Sequence, residues 1–173
     1  SHLQTAEFLY ETNLFPEVEY SFKHALTTEV AYGALLQERR TLLHGLIVKA
    51  LEEMTENIPH DHLERLAHHA FQGELWNKAV IYLRDAGARA VSLSSFRNAV
   101  FYFEKALEGL RHLPRTDENL RNAVDLQVDI RNALFILGDF QHGLQLLQEA
   151  KAVAEGLNDE GRLGTVFNLM TAH

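Results

Sequence analysis

The chain has 173 residues, an apolar fraction of 46% and a formal net charge of −8 with no basic stripe. That balance supports a folded core and excludes the electrostatic footprint of a protein that binds nucleic acid or an anionic membrane. The chain has no cysteine, which excludes disulfides and cysteine-ligated zinc and agrees with a reducing, cytoplasmic compartment. No apolar run approaches the ~18 residues of a membrane-spanning helix. Ser1-His2 leads into the chain without the segments of a secretory signal.

Taken in order, Leu3–Tyr10 reads as the end of a short helix. Val18, Tyr20 and Phe22 then alternate with Glu19 and Ser21, the period-2 pattern of a half-buried strand, with Leu14-Phe15 before Pro16 as its partner across a turn. One strand or hairpin is not stable alone. Further partners are therefore expected upstream of residue 1 and in the helices that follow. From Ala25 the pattern turns helical: Ala31, Leu35 and Leu36 form one stripe, and Leu42, Leu43, Leu46, Ile47, Ala50, Leu51 and Met54 form another. Gly33 and the polar run Gln37–Arg40 suggest a bend between two helices, with one long helix as the alternative. Asn57-Ile58-Pro59 stops the segment. Asp61 with Glu64 three residues on predicts a capped start to a helix that ends near Gly73.

From Trp76 to Leu110 the sequence predicts two antiparallel helices. Small residues (Ala79, Ala86, Gly87, Ala90, Ala99, Ala106) mark points of close approach, and Tyr82, Leu83, Val100, Phe103 and Leu107 fill the buried faces. Ser94-Ser95 is predicted to supply an N-cap hydroxyl to the second. Leu113-Pro114 ends it, Thr116-Asp117 caps a longer helix up to Leu137, and Gly138-Asp139 turns the chain into Phe140–Gly156. Leu163–Met170 begins one more.

One frame recurs three times, with an aromatic first, a small residue at +3, a bulky one at +7 and alanine at +10. Its members are Trp76/Ala79/Leu83/Ala86, Phe96/Ala99/Phe103/Ala106 and Phe140/Gly143/Leu147/Ala150. The +3 and +10 positions lie two turns apart on one helix face, so each helix nests there against its predecessor. The frame resembles the tetratricopeptide repeat. Leu137–Ala150 is the fullest copy, with Gly138-Asp139-Phe140 matching the family's Gly-Asp-Tyr turn and Gly143 standing where the family has alanine. In the central copy Gly87, Phe96, Ala99, Phe103 and Ala106 match. The first two frames start 20 residues apart instead of 34, so the Trp76 helix must serve two successive hairpins.

The stretch Tyr20–Leu51, with L-A-H-H-A and Y-L-R-D-A-G-A-R-A after it, resembles a junction of large bacterial signalling proteins. In these a class III adenylate/guanylate cyclase is followed by a signal-transducing ATPase, a winged helix and helical repeats. The resemblance implies an all-α fold, a right-handed α-solenoid of tetratricopeptide-like hairpins. It assigns residues 1–36 to the end of a winged helix (a short strand or hairpin) and residues 37–173 to a repeat array truncated at its C-terminal end. It also implies that cyclase and ATPase lie outside this chain. His24, at the strand-to-helix junction F-K-H-A-L, would sense the nucleotide phosphate in the full-length protein only; the alternative is a hydrogen bond to backbone at a tight junction.

Catalytic chemistry is missing from the sequence. It has no phosphate-cradling Gly-rich loop ending in Lys-Ser/Thr, no paired-Asp metal site and no G-x-S-x-G elbow. Winged-helix DNA binding fails on charge and on the missing recognition helix. Arg39-Arg40 beside Glu38 reads as surface ion pairing, and Glu52-Glu53 as a solvated face. His60-x-His62 and His68-His69 invite a metal. Adjacent helical histidines point about 100° apart, however, and no cysteine or placed carboxylate completes a ligand set. The expectation is solvated or interhelical histidines, with no metal and no cofactor.

The expected role is a non-enzymatic scaffold that binds a protein or peptide and regulates the upstream ATPase and cyclase of the same chain, without nucleic acid or membrane. The repeat frames put Arg84, Asn132 and Phe135 on the partner groove, as they do Glu64 and His68 in the poorer copy; Phe135 reads equally as core. The rival roles are a nucleotide cyclase, by virtue of the parent protein, and a structural module that self-associates through exposed solenoid ends.

Overall fold

The computed structural model describes residues 9–13, 19–22, 33, 36–54 and 60–171. The chain divides into two compact units, residues 1–43 and 44–173.

In the first unit, strand β1 (Leu9–Asn13) pairs antiparallel with β2 (Glu19–Phe22), in the register Leu9↔Phe22, Tyr10↔Ser21 and Glu11↔Tyr20. An irregularity follows between Glu11 and Asn13. The second strand lies where the period-2 alternation predicts one. Its described partner is Leu9–Asn13, Leu14-Phe15 falls outside the described residues, and Leu9 and Tyr10 are strand rather than helix end. Tyr and Thr favour extended backbone, and Thr12 falls at the irregularity without a ladder partner. Residues 3–8, Val18 and His24 lie outside the described residues. Gly33 is helical, the chain leaves the helix at Leu36, and α1 (Gln37–Glu53) begins after it. The break expected between two helices thus falls at Leu36, and the polar run Gln37–Arg40 forms the first turn of α1.

The remaining helices are α2 (His60–Gln72), α3 (Trp76–Ser92), α4 (Phe96–Leu110), α5 (Asp117–Leu137), α6 (Phe140–Gly156) and α7 (Glu160–Thr171). From α3 onward each packs against the helix before it, and α7 also meets α5. No described helix is long and apolar enough to cross a membrane. Asp61 lies inside α2 and not at its cap, because the helix already starts at His60.

Four of the connections share one geometry. Glu74, Ser94, Gly138 and Asn158 adopt positive φ of 54°, 57°, 80° and 53°. Each donates its N–H three residues back, and the next residue donates five back, as in Ser94 to Val91 (2.9 Å) and Ser95 to Ala90 (2.8 Å). This Schellman closure satisfies the last carbonyls of one helix and turns the chain into the next. Gly138 takes the left-handed position freely, whereas Glu74 and Ser94 adopt it at a cost of about 1 kcal/mol each.

The predicted Ser95 hydroxyl cap does not form. Ser95 (φ −91°, ψ 64°) and Asp139 (φ −90°, ψ 72°) share a backbone shape, but only the Asp139 carboxylate, one bond longer, reaches the N–H three residues on. Thr116 does cap with a hydroxyl, accepting from Asn119 N–H at 3.2 Å, because its backbone is extended.

The frame residues Ala79, Leu83 and Ala86 of α3, Ala99, Phe103 and Ala106 of α4, and Gly143, Leu147 and Ala150 of α6 are all buried. The leading aromatics differ. Trp76 is half-buried, stacked on His112 at 4.0 Å with its edge toward Phe71, whereas Phe96 is half-buried and Phe140 is 51% exposed. The tightest approach is at Gly87, where a Cβ would stand 2.4 Å from the Phe103 ring. At Gly143 a Cβ would meet the Arg131 stem at 3.3 Å, which accounts for glycine where the repeat family has alanine.

Contacts also skip a helix. Glu52 of α1 accepts from Lys78 and Tyr82 of α3, and Glu64 of α2 accepts from Tyr102 of α4. Glu104 of α4 approaches His142 of α6 at 4.0 Å. Asp125 of α5 takes a bidentate pair from Arg162 of α7, at 2.8 and 2.7 Å.

Gly87→Ala tests the α3–α4 seam. Alanine gains about 1 kcal/mol of helix propensity over glycine, but overpacking against a ring held on all sides costs about 1–3 kcal/mol. A net loss of stability is expected in urea melts, with part of it recovered by Phe103→Leu in the same chain. A variant as stable as the parent would show that the ring is not fixed against Gly87.

Candidate functional site

Among the described residues, two of the surface regions bring together predicted groove residues and histidines. The first runs along α3 and α5. A recess of about 270 Å³ is lined by Ala88, Val91, Asp129, Asn132 and Ile136, with Phe103 at its floor. A neighbouring one of about 230 Å³ is lined by Arg84, Asp125, Asp129, Arg162 and Thr165. Asp129 is common to both. Its carboxyl is pushed above the usual range chiefly by burial; the Arg84 charge pulls it back and the Asp125 charge pushes it further up. A partly buried carboxylate beside exposed Val91 (40%) and Ile136 (59%) suits a cationic group flanked by apolar surface.

The second region is a recess of about 380 Å³ between α2 and α4, lined by Glu64, Arg65, His68, His69, Tyr102 and Lys105 among others. Burial, with the Glu64 charge and hydrogen bond, raises the Tyr102 hydroxyl above its usual range. Behind the recess lies His44 of α1, which is buried. Its Nδ1 is 2.7 Å from His69 Nδ1, and one ring nitrogen from each of His44, His68 and His69 lies within 4.8 Å of the others. Burial, and then the neighbouring histidine charges, hold His69 down at about 4 and His44 below its usual range, so both are neutral near pH 7. Gly73 makes this meeting possible: a Cβ there would lie 2.9 Å from His69 O and 3.0 Å from Gly45 N, so the α1 backbone crosses the end of α2 with no room to spare.

The five expected groove residues do not line one recess. Arg84 and Asn132 come together only through Asp129. Glu64 and His68 belong to the second region. Phe135 is not core: it is 45% exposed, edge-on to Phe140 at 5.3 Å, with the Arg131 guanidinium 4.8 Å from its ring centre. The five come from three helices, and the repeat register that grouped them does not carry across a 20-residue spacing. Asp129 and His44 were not singled out by sequence reasoning. Asp129 had only its position three residues before Asn132 to mark it, and His44 only its neighbour Gly45. No family model, curated protein or solved structure matches this chain.

The raised Asp129 carboxyl has a consequence for stability. The folded state holds this proton more tightly than the unfolded chain does, so its contribution is fully present below the unfolded value and is lost as pH rises through the folded one. Near pH 7 the charged Asp129 opposes folding. Asp129→Asn should raise the melting temperature near pH 7, and the gain should vanish below about pH 3.5. Arg84→Ala should lower it near pH 7 when Asp129 is present and leave it nearly unchanged in the Asp129→Asn chain. Equal Arg84→Ala effects in both backgrounds would disprove the coupling.

Proposed function

We propose that the chain is a non-enzymatic scaffold, a tetratricopeptide-like right-handed α-solenoid that binds a protein or peptide segment along the α3–α5 face. The observation that carries this reading is the joint recess of Arg84, Asp129 and Asn132, bordered by exposed Val91 and Ile136. A partner segment with a basic group for Asp129 and an apolar residue for Val91 and Ile136 fits it, in the manner of a helix or extended peptide laid in a groove. The buried small-residue frame and the contacts that skip a helix support the repeat reading, since stacked hairpins join each helix to its first and second neighbours.

The resemblance of Tyr20–Leu51 to the cyclase–ATPase–repeat junction supports a cytoplasmic, regulatory role beside an upstream ATPase and nucleotide cyclase. His24 would be the nucleotide-sensing contact of the longer protein at the end of its winged helix. A second reading, self-association, draws on the apolar side of α1, where Leu42, Leu46 and Met54 are each more than 60% exposed.

Capture of a partner from native cytosol, followed by titration of the purified pair, tests the scaffold reading. Arg84→Ala and Asn132→Ala should each weaken the complex by about 1 kcal/mol or more with the helical circular dichroism unchanged. Unaltered binding would put recognition on another face. The chain itself should neither bind nor turn over ATP. A mass by light scattering that doubles with concentration, with no partner captured, would favour self-association.

A further inference from the structure

We propose that His44, His68 and His69 bind one divalent transition-metal ion of the zinc class, with a fourth ligand entering from the recess beside Glu64. This inference stands apart from the scaffold reading and uses the opposite pair of helices. The ring centres are 5.0 Å apart for His44 and His69, 5.1 Å for His68 and His69, and 5.9 Å for His44 and His68. Three imidazoles on a tetrahedral zinc, with Zn–N near 2.1 Å, place their ring centres about 5.3 Å apart. The ring centres therefore stand close to that spacing, and the three ring nitrogens, within 4.8 Å of one another, would draw in toward a shared ion by small side-chain rotations, although two of the residues are sequence neighbours on one helix.

The 2.7 Å Nδ1–Nδ1 contact of His44 and His69 is a hydrogen bond in which one ring donates the proton the other accepts. Nitrogens sharing a tetrahedral zinc stand about 3.4 Å apart. The ion would take the place of that proton after an opening of roughly 0.7 Å, the donor ring's proton moving from Nδ1 to its Nε2, so that three neutral imidazoles form the three N–metal bonds. The charges facing the cluster are mixed. Arg65 acts on His69 and disfavours a dication. Lys105, which lines the same recess, also disfavours it, and Glu64, one turn before His68 and lining that recess, favours it. Imidazole donors without thiolate or a full carboxylate set suit zinc, cobalt, nickel or copper over calcium or magnesium. Because the donors come from α1 and α2, the ion would pin α1 onto α2.

Titration of the 173-residue chain with zinc chloride by calorimetry, with melting temperature and the visible spectrum of a cobalt(II) sample as parallel readouts, tests the site. One ion per chain, a raised melting temperature and the intense band of four-coordinate cobalt are expected. His68→Gln, at an exposed position that spares folding, and His69→Gln should each weaken binding at least about tenfold. His142→Gln, on α6, should not change it. No saturable binding would overturn the proposal. So would binding that keeps its full strength in both variants, which would put the ion on other histidines, or a pale six-coordinate cobalt spectrum.

Discussion

The structure depends on how closely α3 and α4 approach each other. Gly87 leaves room for the Phe103 ring, and Ala79, Ala86, Ala99 and Ala106 keep the two backbones near enough for large side chains to fill the space between. Fully burying a side chain such as Phe103 or Leu83 contributes about 1.5–3 kcal/mol, provided no void is left around it. The short Schellman turns follow from the same constraint. A helix whose next neighbour must lie directly alongside cannot spend many residues on the reversal, so Glu74 and Ser94 accept a left-handed backbone that costs them about 1 kcal/mol.

Contacts between second neighbours work differently. They are made by half-exposed charged side chains, such as Glu52 with Lys78 and Asp125 with Arg162. Exposed pairs of this kind contribute about 0–1 kcal/mol each, so they cannot hold the array together. Their geometry gives them another effect: the bidentate Arg162–Asp125 pair fixes one rotation of α7 against α5, and Arg131 adds a hydrogen bond to the Leu169 carbonyl at 3.1 Å. The apolar seams determine which helices touch, and the polar links determine the angle at which they do so.

Helix positions and their buried faces were legible in the sequence because 3.6-residue periodicity and small-residue spacing act locally. Thr116, Gly138 and the α3–α4 pair all follow from neighbours within a few residues. What was not legible depended on geometry that no window contains. The Ser95 cap failed because of one bond length against a fixed backbone angle. The strand partner of Glu19–Phe22 is Leu9–Asn13, a stretch whose residues carry no clear period-2 alternation. The groove set broke up because the repeat register supposed a spacing this chain does not keep. The histidine pair on α2 was visible, but the third imidazole comes from 24 residues earlier, through a crossing that Gly73 alone permits.

Buried and half-buried polar groups in a helical array are costly unless something satisfies them, and the two surface regions handle that cost in different ways. In the histidine cluster His44 and His69 satisfy each other, staying neutral and sharing a proton at 2.7 Å. Asp129 has no such escape. Arg84 offsets its charge only in part, Asp125 on the previous turn repels it, and Arg162 is already engaged with Asp125 and Asp159. An apolar residue at position 129 would pack against Ala88 and Ile136 without that penalty. The Asp129 carboxylate, at the one position that joins the two recesses, therefore costs the folded chain stability that Arg84 restores only in part.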